Sequence, residues 1–223
     1  MDPTAHLLEV RRTADGSRTL FNPVTNEPYA SMYGAASESR HVFINAGFHA
    51  VEDRKVRVLE IGLGTGLNLL LTMEEARRTG RAVEYVAVEP YPLEQQRLDE
   101  LDHCTVLRLE HWRSAYNECM SNGALTTIQP FGFTCSVVPR IDEISCGPYH
   151  LIYYDAFAPK VQAELWTVDQ FQRMHELLRP SGVLVTYCAK AAVRRAMQQV
   201  GFSVERLPGP PGKSEMLRAT KPL

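Results

Sequence analysis

The stretch KVRVLEIGLGTGLNLLL, residues 55–71, constrains the fold more than any other. An apolar run ends in Gly62, Gly64 and Gly66, and an apolar helical pattern begins at once. Strand, glycine loop and helix in that order open an α/β sheet. Glycines let a ligand approach the backbone closely, and the helix N-terminus that follows favours negative charge. A dinucleotide fingerprint requires a further glycine at position 67, where Leu67 stands. The plain alternative is a glycine-rich turn that holds nothing.

The pattern continues as an alternation. Strands are predicted over 55–62, 83–90, 133–138, 149–155 and 182–188, and helices over 67–78, 92–101, 163–179 and 191–200, with Pro180 and Gly182 stopping the third helix and Gly201 capping the last. Strands alternating with helices imply a mostly parallel, doubly wound sheet covered on both faces. Two more strands, 202–207 and 214–220, are joined by only a short Pro/Gly loop, too short for a parallel crossover. The final pair is therefore expected as an antiparallel hairpin. Between 102 and 130 the signals are weak: HWRSAYNECM reads as helical and SNGALTTIQP as a loop. The first 50 residues differ from the rest, with a hairpin turning at Asp15-Gly16 and an HVFI segment open between strand and helix. The organisation is thus an N-terminal extension over 1–50 and an α/β domain over 51–223.

Composition narrows the function classes. The chain has 223 residues, 44% hydrophobic and 22% charged, with a formal net charge of −2. That is ordinary for a globular domain and argues against indiscriminate binding to nucleic acid or membrane. Five cysteines, at 104, 119, 135, 146 and 188, form no CxxC pair. Neither a zinc site nor a disulfide framework is expected, and reduced thiols in a cytoplasmic protein are the simplest reading. No run of about 18 apolar residues occurs, so no membrane span is expected.

In open α/β sheets, ligands bind beyond the carboxyl ends of the strands. Two acids are expected there. Glu89 ends the second strand, where an acid accepts both hydroxyl protons of a ribose; its plain alternative is a solvated strand end. Asp155 ends LIYYD and is followed by the turn AFAP. A carboxylate there can accept the N–H bonds of an attacking amine, aim its lone pair and stabilise the ammonium that develops. Phe157 can stack on a base. The alternative for Asp155 is a cap on its own turn. Asp142, in SVVPRIDEI, is the candidate contact to an adenine.

The glycine loop with Glu60 two residues before it resembles motif I of S-adenosylmethionine-dependent methyltransferases, and a doubly wound sheet with an antiparallel final strand resembles their class I, Rossmann-like layout. LEIGLGTGLNLL, LIYYDAFAP, ELWT, GVLVTYCAK, VRRAMQQVGF and PGPPGKSEML together resemble the tRNA 5-aminomethyl-2-thiouridine methyltransferases, the methyltransferase half of the bifunctional MnmC enzyme or its stand-alone form. The match runs from about Asp15 to Lys221 and includes NEPYASMYGAASESRHVF. There are departures: Ala30 follows Tyr29 where the family often has His, Ala191 follows CAK where it usually has Gly, and Ser214 stands where a basic residue is expected. The resemblance implies methyl transfer from S-adenosyl-L-methionine to the aminomethyl nitrogen of uridine 34 in tRNA. At this length the FAD-dependent half of the fused enzyme is not expected. Glu60, Gly62, Gly64, Gly66, Asn68, Glu89 and Asp142 would hold the cofactor, and Asp155 and Phe157 would place the amine and its base. No metal is required, because a sulfonium is already a good leaving group.

Charge layout bears on a tRNA anticodon stem-loop as partner. Residues 190–223 hold seven basic side chains against Glu205 and Glu215, so the rest of the chain is acidic. Lys190, Arg194, Arg195 and Lys213 are candidate phosphate contacts. Tyr29, Tyr33 and Trp166 are candidates for a base pocket; as aromatics they also suit a core. Two other functions suit the same residues. One is an aminopropyltransferase or small-molecule methyltransferase on this scaffold; the neutral LGTG loop and basic C-terminus argue against the aminopropyltransferase. The other is a non-catalytic RNA-binding module, against which acids at both 89 and 155 argue.

Overall fold

The computed structural model describes residues 5–121, 126–128, 132–144 and 147–223. A small antiparallel sheet comes first: β1 (Glu9–Arg12), β2 (Arg18–Asn22) and β3 (Glu27–Pro28). The β1–β2 turn is the expected Asp15-Gly16 turn, and Gly16 takes the positive φ of 85° that it needs. Helix α1 (Ala35–Ser39) follows and runs on as a π-helical stretch over Arg40–Asn45. HVFI is therefore helical. It buries Val42, Phe43 and Ile44.

The main body alternates as expected: β4 (Lys55–Ile61), α2 (Leu67–Thr79), β5 (Ala82–Val88), α3 (Gln95–Leu101), α4 (His103–Val106), α5 (Arg113–Ser121), β6 (Thr126–Ile128), β7 (Phe133–Val138), β8 (Tyr149–Tyr154), α6 (Val168–Leu177), β9 (Leu178–Thr186), α7 (Ala191–Gln199), β10 (Ser203–Pro208) and β11 (Glu215–Thr220). The sheet order is β10-β11-β9-β8-β4-β5-β7-β6. The five strands β9, β8, β4, β5 and β7 run parallel, while β11 lies antiparallel between β9 and β10. The chain builds outward from β4 in both directions, so its switch point lies between β4 and β8.

Alternation along the strands sorts the core into two layers. Val56, Val58, Tyr85 and Tyr153 pack on the face that also takes α2 and Phe43. Leu59, Ile61, Tyr154 and Leu184 pack on the other, with Trp166, Phe171 and Met197. Because Phe43 and Phe48 share the first layer, the N-terminal segment is anchored in the same core as the sheet.

Three local expectations need correction. The helix expected over 163–179 is a 3-10 turn at Ala163–Trp166 followed by α6, because Thr167 accepts the Gln170 N–H at 3.3 Å and caps a new helix. Leu178 already starts β9, so Pro180 lies within a strand and does not stop the helix. Within SNGALTTIQP, Thr126–Ile128 pairs antiparallel with β7; residues 122–125 and 129–130 lie outside the described set. Among the described residues, no helix is long and apolar enough to cross a membrane.

Candidate active site

At the switch point a cavity of about 430 Å³ opens over the carboxyl ends of β4, β5 and β8. Its size suits a nucleoside-bearing ligand. The glycine loop forms one wall. Gly62 and Leu63 donate to Val88 O at 3.1 and 3.3 Å, and Gly66 donates to Leu63 O at 2.8 Å. These bonds fold the loop into a turn that only positive φ values allow: 89° at Gly62, 51° at Gly64 and 67° at Gly66. A side chain at Gly62 would meet the carbonyl oxygen of Asp155 at 2.7 Å.

Glu89 closes the wall. Its Oε2 accepts the Gly64 N–H and its Oε1 the Tyr91 N–H, each at 2.9 Å. A carboxylate at this strand end is of the chemistry that accepts from ribose hydroxyls. A positive-φ glycine loop, a half-buried acid on the next strand and an adjoining cavity together fit S-adenosyl-L-methionine.

The opposite wall is Asp155 and its turn. The Asp155 N–H extends the β8–β4 pairing to Ile61 O at 2.9 Å. Asn68, on the first turn of α2, donates from Nδ2 to Asp155 Oδ2 and to Glu60 Oε1, both at 2.8 Å, and takes the Ser39 hydroxyl on its Oδ1. Burial first, then the charges of Glu60 and Glu38, hold the Asp155 carboxyl well above the usual range; the Asn68 bond and the Lys213 charge act against this. Phe157 meets Tyr29 edge-to-face, with centroids 4.8 Å apart. Its N–H donates to Gln162 Oε1 at 2.9 Å, and its carbonyl accepts Trp166 Nε1–H at 2.7 Å.

The structure thus brings Gly62, Gly64, Asn68, Glu89, Asp155, Phe157 and Tyr29 to one cavity. Gly66 lies just behind, packed against Met120 and Tyr116. Other candidates fall elsewhere. Glu60 is fully buried beneath the floor, accepting from Asn68 and from the Tyr85 hydroxyl at 2.8 Å. Asp142 is exposed and paired with Arg140; its neighbours Arg140 and Ile141 reach the cavity instead. Trp166 is buried behind the Phe157 turn, against Tyr154 and Tyr187. Tyr33 is 65% exposed and rests on Gly212. Lys190 and Arg195 are exposed on the C-terminal face and Arg194 is half-buried. Lys213 is paired with Glu38. Sequence reasoning missed Glu38, a buried acid on the cavity wall; no local motif marks it. Among the described residues no cluster of three His, Cys, Asp or Glu side chains could hold a metal ion.

Residues 131–222 match the model of a family described as S-adenosyl-L-methionine-dependent methyltransferase. The tRNA 5-methylaminomethyl-2-thiouridine biosynthesis bifunctional protein MnmC of Pseudomonas savastanoi pv. phaseolicola is 28% identical over 215 residues, covering 87% of this chain and 32% of that protein. The MnmC protein of Magnetococcus marinus is 29% identical over 218 residues, covering 90% and 32%. The chain is thus similar to the MnmC proteins over most of its length. It spans about a third of the length of these curated relatives. Among solved structures, MnmC2 of Aquifex aeolicus superposes with a TM-score of 0.76 at 23% identity, covering 97% of this chain and 72% of that one. Spermidine synthase of Thermotoga maritima gives 0.58 at 12% identity, covering 96% and 68%. At these identities the two likenesses show a shared fold. The match that names the cofactor contains the Asp155 turn, whereas the glycine loop lies outside it.

Proposed function

We propose that this MnmC relative transfers a methyl group from S-adenosyl-L-methionine to the primary amine of a 5-aminomethyl-(2-thio)uridine at the wobble position of tRNA. The observation that carries this is Asp155: a strand-end carboxylate, reluctant to ionise, facing the glycine loop across one cavity. Gly62, Gly64 and Glu89 would hold the cofactor, which supplies a methyl group on a sulfonium sulfur.

The chain's own part is positioning and proton handling. An alkylammonium is mostly protonated near pH 7 and has no lone pair to attack with. Asp155 in its ionised form, whose raised proton affinity makes it the stronger base, is suited to take that proton and to keep a hydrogen bond that aims the neutral amine. Phe157 and Tyr29, fixed edge-to-face, offer a ring surface on which the base can rest. Lys190 and Arg195, exposed on the C-terminal face, are suited to phosphate contacts.

Methyl transfer from labelled cofactor to tRNA from cells lacking this gene tests the proposal. Label is expected at the wobble base. An Asp155→Ala chain should lose turnover while cofactor affinity stays near that of the wild type. Intact cofactor binding with no label on such tRNA would overturn the substrate, and collapse of cofactor binding in the variant would overturn the role given to Asp155.

A further inference from the structure

Glu38 is only 6% exposed, yet it lies on the cavity wall with Asp155. A carboxylate so buried needs partners. Its Oε2 accepts the Ser31 N–H at 2.8 Å and its Oε1 pairs with the Lys213 ammonium. That ammonium lies 3.9 Å from the centroid of the Tyr187 ring, and the Tyr187 hydroxyl donates to Ala156 O at 2.8 Å. Helix α1, the loop before β11 and the end of β9 therefore converge on the turn that carries Asp155. A buried ion pair is weak evidence for stability, and this one stands where the amine is expected.

Resting on the methyl-transfer reading, we propose that Glu38 is the second carboxylate of the amine site, selecting with Asp155 for an alkylammonium group, and that Lys213 is a positioning residue that holds it. Glu60 from β4, Glu38 from α1, Lys213 from the final loop and Tyr187 from the end of β9 are the charged and titratable groups that act on Asp155 or are acted on by it. With Lys213 balancing one of them, two ionised acids still leave this wall one net negative charge, which a cation satisfies. They oppose an anionic group and gain little from a neutral hydroxyl, so the cavity discriminates by charge.

The test uses the full chain, S-adenosyl-L-methionine and tRNA carrying the free aminomethyl group. Glu38→Gln keeps the acceptor for Ser31 but removes the charge. It should lower kcat/KM about tenfold or more, leave cofactor affinity within about twofold, and move the acidic limb of the pH profile to lower pH. Lys213→Met should move that limb to higher pH, and Lys213→Arg should restore it. Opposite movements from two neighbouring substitutions cannot come from a general loosening of the fold. A Glu38→Gln enzyme with wild-type kcat/KM and an unmoved limb overturns the assignment, as does activity lost in both variants with the limb in place. Absence of transfer by the wild-type chain overturns the methyl-transfer reading itself, and this assignment with it.

Discussion

Two aspartates open turns at strand ends in this molecule, and they are treated in opposite ways. Asp15, in the N-terminal hairpin, is saturated. Its Oδ1 accepts from the Thr13 hydroxyl at 2.8 Å, the Ser17 N–H at 3.0 Å and the Ser17 hydroxyl at 2.5 Å. Its Oδ2 accepts from the Ser37 N–H at 2.8 Å and the Ser37 hydroxyl at 2.7 Å. Burial works against ionisation there, yet these bonds hold the carboxyl far below its usual range. Asp155 has one donor among the described residues, Asn68, and faces two acids. A carboxylate that builds a fold has its lone pairs filled by the chain. Asp155, which the proposed reaction assigns to the amine, has lone pairs to spare and a raised proton affinity.

The contrast can be broken at either end. The largest effect is expected from Asp155→Asn: kcat should fall by about 10² to 10⁴, while the melting temperature at pH 8 stays at or above that of the wild type. A melting temperature that drops by many degrees would make Asp155 a second Asp15. Glu60 comes next. Burial lifts its carboxyl from 4.5 to about 8, against the Asn68 and Tyr85 bonds, with the Glu89 charge adding to the rise. A raised carboxyl favours the protonated folded state, so this stability is full below about pH 4.5 and is lost as pH rises through about 8, by on the order of 4 kcal/mol. Glu60→Gln should flatten urea midpoints across that window; an unchanged slope would show that Glu60 ionises freely in its buried place.

Asp15→Ala is expected to cost about 2–3 kcal/mol in urea unfolding, with methyl transfer by the folded fraction preserved. Transfer lost while the chain remains folded would tie the hairpin directly to the reaction. The smallest effect belongs to Ser37→Ala, which removes one donor of several. It should cost about 0.5–1 kcal/mol, and a loss as large as that of Asp15→Ala would mean that the shell is not shared.

What was legible in the sequence was whatever is local. The β4–loop–α2 unit reads directly, because glycine spacing and strand period fix it within a dozen residues. The antiparallel end of the sheet follows from a loop too short to cross over. The place of Asp155 on the cavity wall reads from a polar residue that closes an apolar run. Nonlocal placements did not read. Glu60 has the spacing of a cofactor contact, but alternation along β4 points it into the core toward Tyr85. Asp142 has the chemistry of an adenine contact, but Arg140 draws it outward. Trp166 looked like a base platform, yet its indole N–H is used behind the turn. Glu38 and Lys213 lie 175 positions apart, and no periodicity joins residues at that distance.

The closeness of Gly62 to the Asp155 carbonyl, 2.7 Å from where a methyl group would stand, has a consequence for redesign. The two loops share a hinge pin. Retooling the molecule for a different nucleophile by exchanging the whole DAFAP segment would disturb the glycine loop through that contact. Side-chain swaps at Tyr29 and Phe157 leave the pin in place. Directed evolution toward bulkier amines should therefore accumulate changes in those two rings first and leave the backbone at 62 and 155 untouched.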